Sequence, residues 1–221
     1  MKLLFIANRI PYPPFRGDKL KIYHLGKCLS AYSEVHLIAF LENSNDLQYK
    51  EELEKIFTSV TLIPLPKWKS YVNVLFSLFT SIPFQVAYFK SSKMAAAIQK
   101  LIRSTHFDAV HIQHIRMAPY GLSLPIKNKI LDLPDAYSLY WERRVQNASS
   151  FIEKLLNQFE RNRLWNYEHK VLKKFPKVLV CSSEDARYLE TQHLLSSIAI
   201  LPNGVDVDTF NGVQHLSLIH I

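Results

Sequence analysis

A chain of 221 residues, 48% of them apolar, has enough material for a large α/β domain with a core of its own, and this argues against a disordered chain. Its two cysteines are too few for the disulfide framework of a small secreted domain and fit a reducing cytoplasm. A formal charge of +8 gives a positive field that draws phosphates, and charge alone does not choose among nucleic acid, anionic lipid and a sugar diphosphate.

The chain opens on Leu3-Leu4-Phe5-Ile6-Ala7, too short for the core of a signal peptide, which therefore reads as a buried first strand. Six more apolar runs follow: Val35 to Phe40, Val60 to Leu65, Ala109 to Gln113, Lys129 to Leu133, Lys177 to Cys181 and Ile198 to Leu201. Runs that are apolar on both faces suit strands covered from both sides. The expected fold is therefore α/β, a Rossmann-like doubly wound parallel sheet of about seven strands.

The first turn, Asn8 to Lys19, leads into a helix with Ile22, Leu25 and Leu29 on one face. Gly17 falls in the turn and Asp18 is placed to cap. Free N–H groups at such a helix start favour an anion, so Arg16, Gly17, Asp18 and Lys19 are candidate phosphate- or acceptor-binding residues. The turn lacks both G-x-G-x-x-G and G-x-x-x-x-G-K-[ST], which counts against a dinucleotide dehydrogenase and a P-loop NTPase.

Tyr71 to Phe89 holds no charged residue, but Asn73, Ser77, Ser81 and Pro83 divide it into two short amphipathic segments. Helices packed on the sheet are the first expectation. The alternative is a basic module that docks on an anionic membrane through Lys67, Trp68, Lys69 and the segment that follows, without catalysis of its own.

His111 and His114 alternate on or just after the fourth run, which brings one of them nearer its end; His114 is favoured as an acceptor contact. Two histidines without further ligands do not make a metal site, so no metal is expected. Asp132 and Asp135 lie just past the fifth run, where open α/β sheets place ligands, although an Asp before a helix is also a common cap. Further on, Ser150-Phe-Ile-Glu153 forms a capping box for a long helix that continues through Leu164, Tyr167 and Val171 until Pro176 stops it. Ser182-Ser183 lacks the glycines of a nucleophile elbow and suits a helix cap instead. No RNP motif, zinc finger or helix-turn-helix accompanies the positive charge, so no nucleic-acid partner is expected. The tail Leu216 to Ile221 back-translates to a transposon-end adapter, and residues 211–221 are set apart as a non-native tail.

Arg9-Ile10-Pro11-Tyr12-Pro13-Pro14-Phe15-Arg16-Gly17-Asp18-Lys19 resembles the opening of family 4 sugar transferases of the GT-B fold, especially an exopolysaccharide (PEP-CTERM-associated) group. Asp108 to Gln113, Asp132 to Ser138, Val180 to Glu184 and Pro202-Asn203-Gly204-Val205-Asp206 are similar to later family segments, in the same order. The resemblance implies that residues 1–210 are the acceptor-side N-terminal domain, with a donor domain absent from this chain and the active site in the cleft between them. It implies retaining transfer from a nucleotide-sugar to a hydroxyl of a lipid-linked or polysaccharide acceptor, in the cytoplasm or at the inner face of the membrane. The nucleotide-sugar would be a substrate and not a cofactor, and the fragment alone would be inactive. It assigns the catalytic loop role to Asp135 first and Asp132 second, and the interdomain hinge to Asn203, Gly204 and Asp206.

Overall fold

The computed structural model describes residues 1–193 and 198–204, so the hinge residue Asp206 and the tail 211–221 lie outside the described residues. Seven strands, β1 (Lys2–Ala7), β2 (Glu34–Leu41), β3 (Ser59–Pro64), β4 (Ala109–Gln113), β5 (Asn128–Leu133), β6 (Lys177–Val180) and β7 (Ala199–Ile200), form one sheet in the order β3-β2-β1-β4-β5-β6-β7. Every pairing is parallel, as runs apolar on both faces require.

The helices between them are α1 (Gly17–Ser30), α2 (Lys50–Glu54), α3 (Lys67–Ser77), α4 (Phe84–Tyr88), α5 (Ser92–Ser104), α6 (Ala118–Leu122), α7 (Tyr137–Gln146), α8 (Phe151–Leu172) and α9 (Ser183–His193). Strand alternation explains the two cores. Leu4 and Ile6 of β1 join Met94, Ile98, Leu164 and Leu189 on one side of the sheet, while Leu3, Phe5 and Ala7 join Ile22, Leu53 and Phe57 on the other. Because β1 lies between β2 and β4, the chain winds outward in both directions from this pair, and their carboxyl ends open a crevice.

Two caps form where expected. Ser150 Oγ accepts the N–H of Glu153, whose carboxylate reaches back to Ser149, one residue short of the ideal box. Ser182 Oγ accepts the N–H of Asp185 at the start of α9. The first helix departs from expectation: it starts at Gly17, so Asp18 sits inside the first turn and Arg16 takes the cap position without a side-chain bond.

The expectation that the uncharged segment packs into the core fails for α3. This helix buries Ser70 and Ser77 and exposes Trp68, Tyr71, Leu75 and Phe76; Phe79 just beyond it is 87% exposed. The first half of α8 is turned out in the same way, burying Asn157, Glu160 and Arg163 while Phe151, Ile152, Leu155 and Leu156 face solvent. The physical reason is polar. The guanidinium of Arg163 donates to the carbonyls of Ser77, Thr80 and Ile82, and Glu160 accepts the N–H of Phe84, so the α3–α4 turn is held by charges that must face inward.

The core packing around α1 is tight at Gly26, where an added Cβ would come within 2.4 Å of the Phe57 ring. Phe57 is fully buried and cannot swing away. Gly26→Ala is therefore expected to lower stability by about 1–2 kcal/mol, because overpacking outweighs the gain in helix propensity. A urea-unfolding midpoint that stays level or rises would contradict this contact.

Candidate functional site

A polar cavity of about 360 Å³ lies at the carboxyl ends of β1, β4 and β5. The turn after β1 contributes Arg9, Arg16, Gly17 and Asp18, α1 adds Lys21, and the segment after β4 adds His114 and Arg116. Asp132, Pro134, Asp135 and Tyr137 come from the end of β5, and Asn203 from beyond β7. Seven residues singled out in the sequence therefore meet here: Arg16, Gly17, Asp18, His114, Asp132, Asp135 and Asn203. Lys19 and Gly204 do not line the cavity.

Helix geometry explains the loss of Lys19. Residues three apart share a helix face, so Lys21 follows Asp18 closely enough to point the same way only because both flank the cavity end of α1, while Lys19 turns aside to the carbonyl of Tyr12. Gly17 does not serve a left-handed backbone, since no glycine among the described residues has positive φ. Its missing Cβ faces open space and leaves the cavity wall low.

Asp132 is fully buried. Its Oδ1 lies 2.6 Å from Lys21 Nζ and its Oδ2 lies 3.2 Å from His111 Nε2. Burial pushes its carboxyl up, but the His111 imidazole and the Lys21 ammonium prevail and hold it below the ordinary range. The expectation that Asp132 bonds the N–H groups of its own turn is corrected: its partners are side chains of α1 and β4. His111, stacked on Phe5 inside the sheet, belongs to this support and does not line the cavity.

Asp135 has a different setting. It is exposed on the rim, and partial desolvation followed by the charge of Asp185 pushes its carboxyl up from the ordinary range. The N–H of neighbouring Ala136 is taken by Asp185, and Tyr137 N–H by the buried Glu168, so the start of α7 is already satisfied by side chains. The helix end left without a side-chain cap at the cavity is that of α1.

His114 is the single non-glycine residue with positive φ among the described residues, at 78°. Such a conformation costs on the order of 1–3 kcal/mol and persists where surroundings over-determine it. Here its N–H donates to the Asp132 carbonyl over 2.7 Å, its Nδ1 accepts from Arg116 N–H over 3.3 Å, and its Nε2 meets the Tyr137 hydroxyl. Burial first, then the charges of Arg116 and Arg9, keep it well below the usual imidazole range, so the ring is neutral, with Nε2–H toward Tyr137. Strand alternation alone could not reveal the strain.

Sequence reasoning missed several lining residues and one buried amide. Lys21 and Arg116 look like ordinary helix cations until the fold brings them to the crevice, and Gln113 donates 2.6 Å to the Asp18 carbonyl to fix the first turn. Asn8, at the end of β1, is fully buried and its amide has no partner among the described residues. Its place directly after a buried run was the available signal. Among the described residues no group of three or more His, Cys, Asp or Glu is placed to hold a metal.

Residues 22–209 match the sequence profile of Glycosyltransferase Family 4. No curated protein sequence matches the chain. Among solved structures, a sucrose-phosphate synthase from Thermosynechococcus elongatus is similar with a TM-score of 0.58 at 12% identity, covering 94% of this chain and 49% of that one. UGT2 from Phytolacca americana, complexed with UDP-2-fluoro-glucose and pterostilbene, gives 0.54 at 13% identity over 93% and 54%. TcCGT1 in complex with UDP gives 0.52 at 15% identity over 92% and 50%. These likenesses establish the fold, and the chain spans about half the length of each structure.

The Lys21–Asp132 pair gives a direct test of how the cavity floor is held. Lys21→Met strands a buried carboxylate and is expected to cost about 3–5 kcal/mol, and Lys21→Met with Asp132→Leu to recover much of that loss. Since the folded Asp132 pKa is depressed, its stabilisation is present above the unfolded value near ~4 and is lost as pH falls through the folded value. Thermal midpoints from pH 2 to 7 check both points; a double variant no better than Lys21→Met would contradict the pairing.

Proposed function

The chain belongs to Glycosyltransferase Family 4, and from that premise we propose that it is the acceptor-side domain of a transferase that moves a sugar from a nucleotide diphosphate to a hydroxyl. The observation that carries the reading is the polar cavity at the β1–β4 switch point, lined by Arg9, Arg16, Lys21 and Arg116 together with the exposed Asp135. Four cations against Asp18, Asp132 and Asp135 leave the cavity positive, which suits a phosphate-bearing substrate. UDP and UDP-2-fluoro-glucose, named for two structures of the same fold, support a nucleotide-sugar donor.

In this reading a second domain grips the nucleotide, and residues 1–210 present the acceptor; the transfer is retaining and the acceptor is lipid-linked or a glycan. Arg16 and the uncapped start of α1 stabilise charge on the departing diphosphate without an obligatory metal. Asp135, exposed at the rim, orients the acceptor hydroxyl or the transferred sugar. His114, proposed from the sequence as an acceptor contact, has both ring nitrogens engaged by Arg116 N–H and the Tyr137 hydroxyl, and in this reading it shapes the cavity wall without adding charge. Asp132 acts through Lys21 and is a positioning residue. Asn203 bonds Cys181 at the cavity edge, where the chain would leave for the second domain.

A second reading concerns where the reaction occurs. Phe84 of α4 packs on Phe159 of α8, Arg163 of α8 holds the carbonyls of the turn that ends α3, and Lys67, Lys69 and Lys154 add positive charge to the outward faces of α3 and α8. Exposed aromatics beside lysines on a basic chain suit an anionic bilayer surface. No helix among the described residues is long and apolar enough to cross a membrane.

Two measurements follow. With the donor-side domain present, Asp135→Asn is expected to lower the rate of sugar transfer about 100-fold with little change in thermal midpoint, whereas Asp132→Asn lowers the midpoint; full activity in Asp135→Asn would remove its role. In co-sedimentation with phosphatidylglycerol vesicles, Phe76→Ser with Phe79→Ser is expected to reduce binding at least about 10-fold, since each buried ring is worth about 1.5–3 kcal/mol. Equal binding by this variant would move the contact elsewhere.

A further inference from the structure

On the far side of Arg116 lies a second cavity, of about 530 Å³ and within the size range of small-molecule sites. Most of its wall is apolar, with Val86, Ala87, Phe89, Ile98 and Leu124 from α4, the residue after it, α5 and the segment after α6, while Lys90, Ser91, Ser92, Gln99 and Ser123 also line it. Arg116 lines both cavities, so the apolar one and the polar site are neighbours across a single side chain.

Arg116 is suited to hold the junction. Its guanidinium lies 5.4 Å from the Phe89 ring and 5.7 Å from the Tyr137 ring, and Nε donates 3.0 Å to Gln85. Among the described residues no carboxylate pairs with it, so its charge is open to an anion. Tyr167 also lines the apolar cavity, and its buried hydroxyl has no partner among the described residues. Ile82, which also lines the cavity, belongs to the turn between α3 and α4, and its carbonyl accepts from Arg163 of α8.

Resting on the reading above, we propose that this cavity takes the hydrocarbon chain of an amphipathic acceptor, with a phosphate at Arg116 and the reacting hydroxyl in the polar site beyond. The chemistry is that of an isoprenoid or acyl chain joined through phosphate to the group that is glycosylated. The predominantly apolar wall favours a hydrocarbon over a purely glycan occupant, whose many hydroxyls would outnumber the few polar groups there. The position of Ile82 gives the chain an entry from the same side as the exposed aromatic surface.

The test is binding, independent of transfer. Decyl phosphate below its micelle concentration, titrated calorimetrically into the chain, is expected to bind at least about 10-fold more tightly than decanol or inorganic phosphate. Ala95→Trp, at an exposed α5 position on the cavity wall, should weaken decyl phosphate at least about 10-fold and leave inorganic phosphate unchanged. Arg116→Gln should remove the preference of decyl phosphate over decanol. No binding of decyl phosphate, or equal binding by Ala95→Trp, overturns the proposal. Binding with these variant effects but no sugar transfer by the chain joined to a donor domain would overturn the transferase reading and leave the cavity assignment standing. Transfer to a soluble glycan without decyl phosphate binding would do the reverse.

Discussion

The candidate site depends on one buried ion pair. Lys21 of α1 reaches Asp132 at the end of β5, spanning β4, which lies between β1 and β5 in the sheet. A carboxylate with no exposure needs a cation to stay charged: Lys21 supplies it with a hydrogen bond to Oδ1, and the His111 ring lies 3.2 Å from Oδ2. The pair ties the first helix to the far wall of the crevice. Through the carbonyl of Asp132 it also fixes the N–H of His114, the residue that carries the backbone strain.

Around that pair the site divides into held and open groups. His114 and Tyr137 are buried and engaged with each other, and the N-terminus of α7 is taken by Glu168. Arg16 and Asp135 remain at the surface of the cavity, with the uncapped start of α1 between the cations. Rigid support beneath a few free charges is the arrangement expected where substrate, and not the protein, completes the hydrogen bonding.

Much of this was legible beforehand. Runs apolar on both faces announced a parallel sheet, and carboxyl-end placement followed from the fold, which is why residues as distant as Gly17, His114 and Asp135 were expected together. The outward faces of α3 and α8 were not legible, because periodicity shows that a helix has two faces and not which one is buried. Arg163, Glu160 and Ser77 chose it by pairing inward. Lys21 and Arg116 escaped notice for a related reason: a cation on a helix carries no local mark of what the sheet will bring against it. Asp132 was singled out as the second catalytic candidate, with a helix cap as the alternative, and nothing in the sequence announced its contacts with Lys21 and His111.

The central claim is that the polar cavity between the ends of β1, β4 and β5 receives the acceptor. The decisive measurement is hydrogen–deuterium exchange of the chain with and without a panel of short-chain prenyl diphosphate-linked monosaccharides. Slowed exchange is expected in residues 8–19, 113–117 and 133–138, the three segments that meet at the cavity. Protection confined to residues 67–79, with those three segments unchanged, would contradict it.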